Sequence, residues 1–189
     1  MPHSSQVPEP WKSFLGELDR EATAETRLDC MGGFVATLLY GLPRATSDLV
    51  VLLIAPREQR EPPLELGIRG GALHKKDKVF LDYVRVATVP EDYEERLSEM
   101  FPEAYKHLRI CVLDPYDLAL SKLERNIQRD RDDVKHLAQF VPLDLKILKE
   151  RMKELRWQLG NSEREDLTLR LRTEMIEEER SGAAGRSKP

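Results

Sequence analysis

The chain has 189 residues, of which 40% are hydrophobic and 34% charged, and its 34 acidic and 30 basic residues give a net charge of -4. That balance excludes a broad nucleic-acid-coating surface, although a local basic cleft remains compatible with it. No run approaches the roughly 20 apolar residues of a membrane span. The two cysteines are too few for a disulfide scaffold or a zinc site. We therefore expect a cytoplasmic globular protein with no membrane partner.

The first part of the sequence predicts alternating helices and strands. In chain order these are a loose arm (1–10), a helix (11–20), a strand (27–31), a buried helix (34–40) and a strand (48–55). The glycine pair Gly32-Gly33 separates the first strand from the buried helix. The run 49–55 is apolar on both faces, which is typical of a central strand covered on two sides.

The second part is predicted to become helical. Its elements are a charged loop (56–78), a strand (79–89), an acidic helix (91–100), a strand (108–113), helices at 116–127, 130–140, 143–159 and 162–180, and a disordered tail (181–189). Asp114 is predicted to cap the first of the later helices, because Pro115 follows at its first position.

These elements predict an α/β (α+β) fold, with a mixed sheet flanked by helices and a helical segment after it. We divide the chain into a flexible arm at 1–10, a core at 11–140, C-terminal helices at 141–180 that pack on the core, and a tail at 181–189.

A candidate site lies between the first two strands. Gly32 and Gly33 allow close backbone approach, and the helix that follows offers free N–H groups to an anion. Arg44 and Thr46 come just before Asp48, a carboxylate at the start of the apolar strand. A carboxylate beside a phosphate cradle can hold magnesium and a nucleoside triphosphate together. A tight turn before a helix explains the glycine pair about as well, and Asp48 can also be a cap or turn residue at the entry to the strand.

Two sequence blocks carry a family resemblance. The segment GGFVATLLYGLPRATSDLVVLLI resembles the signature of the minimal nucleotidyltransferases of the DNA polymerase β superfamily, in which a glycine pair and a helix precede Arg-x-Thr-x-Asp-x-Asp. The segment VLDPYDLALSKLERNIQRDRDDVKHLA resembles the second block of the same group. The similarity spans about residues 26–140. Within the superfamily, the chain more specifically resembles the AbiEii-type toxins and their uncharacterised bacterial relatives.

The resemblance implies roles for particular residues. It implies a nucleotidyltransferase-like core with magnesium or manganese as cofactor, in which Asp48 and Asp82 are the catalytic and metal-binding carboxylates. Asp82 is the candidate for the family's carboxylate on a later strand, and an exposed aspartate at a strand edge explains it equally well. The residues implied to bind the nucleotide are Gly32, Gly33, Arg44, Thr46, Lys122 and Asp133. The Lys122 side chain is expected either to reach a phosphate or to extend into solvent. The implied partners are an NTP, an RNA (tRNA) or protein acceptor, and a cognate antitoxin.

Val50 departs from the family pattern. The second aspartate of the family motif would stand here, on the same face of the strand as Asp48, where the two carboxylates would share metal ions. The resemblance implies transfer of a nucleoside monophosphate from the NTP to the acceptor. Valine has no donor atom for a metal ion, so this activity is in question. The alternatives are a catalytically disabled nucleotide- or RNA-binding module or regulatory partner, and a structural role in which the apolar seam of the 143–159 helix mediates association.

Overall fold

The computed structural model of the chain describes residues 6–85, 87–122 and 127–159. The expected helix at 162–180 and the tail at 181–189 lie outside these residues. Helices occur at α1 (Trp11–Glu21), α2 (Gly33–Tyr40), α3 (Glu61–Gly67), α4 (Ala72–Asp77), α5 (Pro115–Leu120), α6 (Gln128–Phe140) and α7 (Leu145–Leu159). Strands occur at β1 (Thr26–Met31), β2 (Asp48–Ala55), β3 (Phe80–Tyr83), β4 (Ser98–Met100) and β5 (Leu108–Val112). In the described part of the chain, no helix has the length and apolar character that a bilayer crossing requires.

The strands form one mixed sheet in the order β3-β2-β1-β5-β4. β1 pairs antiparallel with β2 and parallel with β5, β2 pairs parallel with β3, and β4 pairs antiparallel with β5. The sheet confirms the predicted α+β class, and its first three strands are neighbours. A β-bulge interrupts the β1–β2 register between Asp29 and Cys30.

The described residues divide into two compact units, the first formed by 6–85, 87 and 97–113 and the second by 88–96, 114–122 and 127–159. The first contains the sheet, and one of its faces is buried beneath apolar helix residues. The large apolar residues of α1 are buried, and Trp11 contacts the ring of Phe34 in α2 with centroids 4.7 Å apart. Burying such a side chain contributes about 1.5–3 kcal/mol each, so α1 and α2 are fixed on the sheet.

For two segments the predicted type of secondary structure was wrong. The segment 56–78, expected as a loop, contains a 3₁₀ turn at Arg57–Gln59 and then α3 and α4. The two prolines Pro62 and Pro63 lie in the first turn of α3, where proline needs no N–H partner. The segment 91–100, expected as a helix, contains a 3₁₀ turn at Tyr93–Arg96 followed by β4, which pairs with β5.

Two other predicted elements are shorter than expected. The strand expected at 79–89 ends at Tyr83, and the helix expected at 116–127 ends at Leu120. At that helix end, the Ser121 hydroxyl donates to the Leu118 carbonyl at 2.8 Å and the Lys122 N–H donates to the Ala119 carbonyl at 3.2 Å. These i,i+3 bonds tighten the chain into a turn and stop the helix.

In the second unit, α5 begins as predicted. The Asp114 carboxylate accepts from the Asp117 N–H at 2.8 Å, so it caps the helix. The apolar seam of α7 is buried within this unit at Leu148, Met152 and Leu155, and α7 packs on α5. These seam residues are therefore unavailable for docking another protein.

A network of charged side chains surrounds Asp117 in the second unit. The fully buried Asp117 carboxylate accepts from Arg96 Nε at 2.9 Å and from Arg151 Nη1 at 3.0 Å. Arg151 also binds Asp114 at 2.6 Å. Burial raises the pKa of Asp117, and the hydrogen bond from Arg96 acts in the opposite direction. The two arginines thus compensate a charge that has no access to solvent.

Candidate functional site

Strand register brings two aspartates onto one side of the sheet. In the parallel pair β2–β3, Asp48 is opposite Phe80 and Val50 is opposite Asp82. Register partners point to the same side and residues two apart share it. Asp48, Val50 and Asp82 therefore form one surface, which we call the carboxylate face. Asp48 and Val50 are half-buried, whereas Asp82 is exposed.

The turn between β1 and α2 lies against Val50. Gly32 has φ +82° and ψ -151°, a conformation that side chains other than glycine rarely adopt. A Cβ on Gly32 would stand only 3.1 Å from Val50 Cγ2. The glycine thus provides both an unusual backbone angle and close approach, as the sequence predicted for this pair. Because Gly32 has no side chain to cap α2, the first N–H groups of the helix stay available for an anion.

Thr46 joins this turn to Asp48. Its hydroxyl donates to Asp48 Oδ1 at 2.7 Å, which fixes the orientation of the carboxylate. A Cβ on Gly33 would stand 3.0 Å from the Thr46 hydroxyl oxygen, so the second glycine leaves room for this hydrogen bond. Gly32, Gly33, Thr46 and Asp48 are therefore brought together at this turn.

The two glycines are expected to respond differently to alanine. Gly32→Ala should lower the free energy of unfolding by about 1–3 kcal/mol, because alanine is strained at this backbone angle. Gly33→Ala should cost clearly less, since Gly33 has no positive φ and only the Thr46 side chain must move. Urea denaturation of both variants measures the difference. Equal losses would contradict the assignment of backbone strain to Gly32.

Arg44 is tied to α2 and to the chain just after it by its backbone. Its carbonyl accepts from the Thr37 hydroxyl of α2 at 3.1 Å, and its N–H donates to the Leu42 carbonyl at 2.8 Å. The residue is half-buried. Its role in binding phosphate stays a prediction.

The chemistry of the carboxylate face fits one magnesium ion held partly by a substrate. Within the described residues, no group of three or more His, Cys, Asp or Glu side chains is arranged to hold a metal ion. Magnesium is commonly bound by one or two carboxylates together with substrate phosphates. Asp48 and Asp82 can supply those carboxylates, and Val50 stands at the position where a further one is missing.

Lys122 and Asp133 belong to the second unit, where they bind each other. The Lys122 ammonium lies 2.8 Å from Asp133 Oδ2 and 3.9 Å from Asp130 Oδ1, and all three side chains are buried. The expectation that Lys122 could extend into solvent is therefore wrong. The expectation that Lys122 and Asp133 bind nucleotide stays a prediction.

One cation near the carboxylate face was missed from the sequence. The guanidinium of Arg69 lies over the ring of Phe80, the register partner of Asp48. Nothing in the local pattern marks this residue, because it occurs in a segment that was predicted to be a charged loop. Only the pairing of the chain with β3 places it there.

The sequence comparison adds a family. A family model described as a nucleotidyltransferase of unknown function (DUF6036) matches residues 21–180, which is most of the chain. No curated protein and no solved structure matches the chain. The match includes both sequence blocks that carry the family resemblance, at 32–54 and 112–138.

Proposed function

Because the chain belongs to the DUF6036 family of nucleotidyltransferases, we propose that it binds a nucleoside triphosphate with magnesium on the carboxylate face and transfers the nucleoside monophosphate to a hydroxyl group. The acceptor is an RNA, such as tRNA, or a protein. The observation that carries this proposal is the strand register, which puts Asp48 and Asp82 on one side of the sheet beside the Gly32 turn.

Asp48 and Asp82 would hold the metal together with phosphate oxygens. Magnesium or manganese, when bound, would neutralise phosphate charge and orient the triphosphate. Thr46 supports this role because its hydrogen bond keeps Asp48 Oδ1 in one orientation. The first N–H groups of α2 would bind phosphate oxygens, since they carry partial positive charge.

The transfer exchanges one phosphorus–oxygen bond for another. The acceptor hydroxyl oxygen attacks the α-phosphorus, and the bond from the α-phosphorus to the oxygen bridging to the β-phosphate breaks. Pyrophosphate leaves with that electron pair. The proton of the hydroxyl passes to the Asp82 carboxylate, which is exposed and therefore accessible to an acceptor.

Val50 favours a second candidate function, a nucleotide- or RNA-binding module without transfer. Its Cγ2 atom packs at the Gly32 turn, so an apolar group occupies the position between the two aspartates. A site with two carboxylates can retain a metal through the triphosphate and still lack the geometry that activates an attacking hydroxyl. Such a module would act as a regulatory partner.

The resemblance to AbiEii-type toxins supports a more specific biological role. In this role the chain is the toxin of a toxin–antitoxin or abortive-infection system, and a cognate antitoxin restrains it. Co-expression of a neighbouring gene product that relieves growth inhibition by this chain would support the role. The biochemical proposal does not depend on it.

Asp48→Asn tests the proposed site directly. We expect magnesium-dependent NTP binding to weaken by about tenfold or more, because an amide oxygen carries no charge for the metal. Isothermal titration with each of the four NTPs, with magnesium and with EDTA, measures binding, and labelled NTP incorporation into RNA or protein measures transfer. Asp132→Asn, an exposed aspartate in α6, is the matched control. A wild-type protein that binds no NTP in magnesium would overturn the proposal.

A further inference from the structure

The edge of the sheet beyond β3 carries an arginine on the side of the carboxylate face. Ile68 forms a single parallel bridge with Leu81, so the chain runs beside β3 at this position. The Arg69 guanidinium lies over the ring of Phe80. Successive residues of a strand alternate, so this is the side opposite Leu81. Phe80 and Asp82 point to that same side. Arg69 therefore borders the carboxylate face.

The Arg69 guanidinium is held by an aromatic stack. Its central carbon lies 4.2 Å from the centroid of the Phe80 ring, and the His74 ring packs on Phe80 at 5.2 Å. Stacking uses the flat side of a guanidinium and leaves the N–H donors in its plane for other partners. Arg69 is exposed, and among the described residues no carboxylate forms an ion pair with it. The cation is thus positioned but not neutralised.

An anionic substrate on the carboxylate face needs nearby positive charge. Asp48 and Asp82 repel a polyphosphate, and a single metal ion offsets only part of the combined charge. An arginine binds phosphate with two parallel N–H donors, which gives both charge and orientation. The Arg69 guanidinium lies over Phe80 of β3, and Phe80 is opposite Asp48 on the neighbouring strand β2. Asp48 is the carboxylate that Thr46 orients.

We propose that Arg69 is a substrate-binding residue that holds the terminal phosphates of the nucleoside triphosphate on the carboxylate face. This assignment rests on the proposed function of that face. It gives the site a cation outside the glycine turn and outside both sequence blocks. It also makes the site selective for triphosphates over monophosphates, because a monophosphate has no phosphate beyond the α-position.

The test compares two arginines that stack on aromatic side chains of the same strand, β3. Arg69→Gln removes the charge from the carboxylate face. Arg60→Gln is the matched control, because Arg60 lies 4.4 Å from the centroid of the Tyr83 ring, whose register partner Val51 is on the opposite side of the sheet. Titration of the full chain with magnesium and each of the four NTPs, and with the corresponding monophosphates, measures affinity. Melting temperatures verify that both variants fold.

We expect Arg69→Gln to weaken NTP binding about tenfold, as for loss of a charged hydrogen-bonding group, with monophosphate affinity unchanged. Arg60→Gln should bind both as the wild type does. Unchanged NTP affinity in Arg69→Gln, or an equal loss in both variants, would overturn the assignment of Arg69 while leaving the proposed function intact. A wild type that binds no NTP would overturn both.

Discussion

Val50→Asp is expected to increase magnesium-dependent nucleotide transfer by at least about tenfold over a weak or absent wild-type activity, which corresponds to about 1.4 kcal/mol of transition-state stabilisation. Val50 lies between Asp48 and Asp82 on the carboxylate face, because it is two residues from the first and opposite the second. An aspartate here would add the missing carboxylate at a place where metal ions could be shared. Labelled NTP incorporation by the two proteins measures the change.

The same substitution has a cost that magnesium should reduce. Without metal, three neighbouring carboxylates repel one another, and a half-buried charge is poorly solvated. We therefore expect Val50→Asp to melt below the wild type in EDTA and to recover in magnesium. Val50→Asn is the control, since it has a similar shape but no charge. Robust wild-type transfer that is unchanged or reduced in Val50→Asp would show that the valine does not disable the site.

Arg96→Met is expected to lower the free energy of unfolding by about 3 kcal/mol, because removing one partner of a buried ion pair leaves the other charge uncompensated. Arg96 binds the fully buried Asp117 at 2.9 Å, and only Arg151 would then compensate it within this network. Urea denaturation measures the loss. Arg20→Met removes an exposed arginine that pairs with Glu17 at 2.6 Å, and it should cost less than about 1 kcal/mol.

The loss in Arg96→Met should depend on pH in a defined direction. Burial raises the pKa of Asp117 and Arg96 opposes that rise, so the variant should have a still higher folded-state pKa. A carboxyl whose pKa is higher in the folded state destabilises the fold as pH rises from its unfolded value through its folded value. The deficit of the variant should therefore be greater at about pH 7.5 than at about pH 5, where protonation removes part of the buried charge.

A double variant separates this effect from lost packing. Arg96→Met with Asp117→Asn has no carboxyl to titrate, so its deficit relative to Asp117→Asn should change little with pH. A single-variant deficit that grows on acidification would contradict the role of Arg96 in compensating Asp117.

Local patterns predicted the elements that local forces define. The helix α2 follows from a largely apolar segment that is bounded by glycines on both sides. The strand β2 follows from the uninterrupted apolar run after Asp48, and the cap of α5 follows from Asp114 and Pro115. The prediction for the segment 56–78 was wrong because α3 and α4 have only seven and six residues, which is too short to show a helical period in the sequence. Charges and prolines then made the segment resemble a loop.

The other wrong predictions concern elements that form only through contacts with residues distant in the sequence. Ser98–Met100 forms a strand because β5 offers it hydrogen bonds, and no property of three residues can predict that pairing. The candidate site divides in the same way. The association of the glycine pair with Thr46 and Asp48 could be expected from spacing. The alignment of Val50 with Asp82 requires the β2–β3 register, and the burial of Lys122 accompanies its ion pair with Asp133 of α6.

The outermost strands of the sheet are short. Within the described residues, β4 has three residues with Ser98 and Glu99 exposed, and the four-residue β3 is followed outward only by the single Ile68 bridge. A long, flat, apolar edge is the usual template on which a second chain adds its own strand and starts an aggregate. This sheet offers few unpaired backbone groups for such growth, so concentrated protein should resist edge-to-edge polymerisation through it.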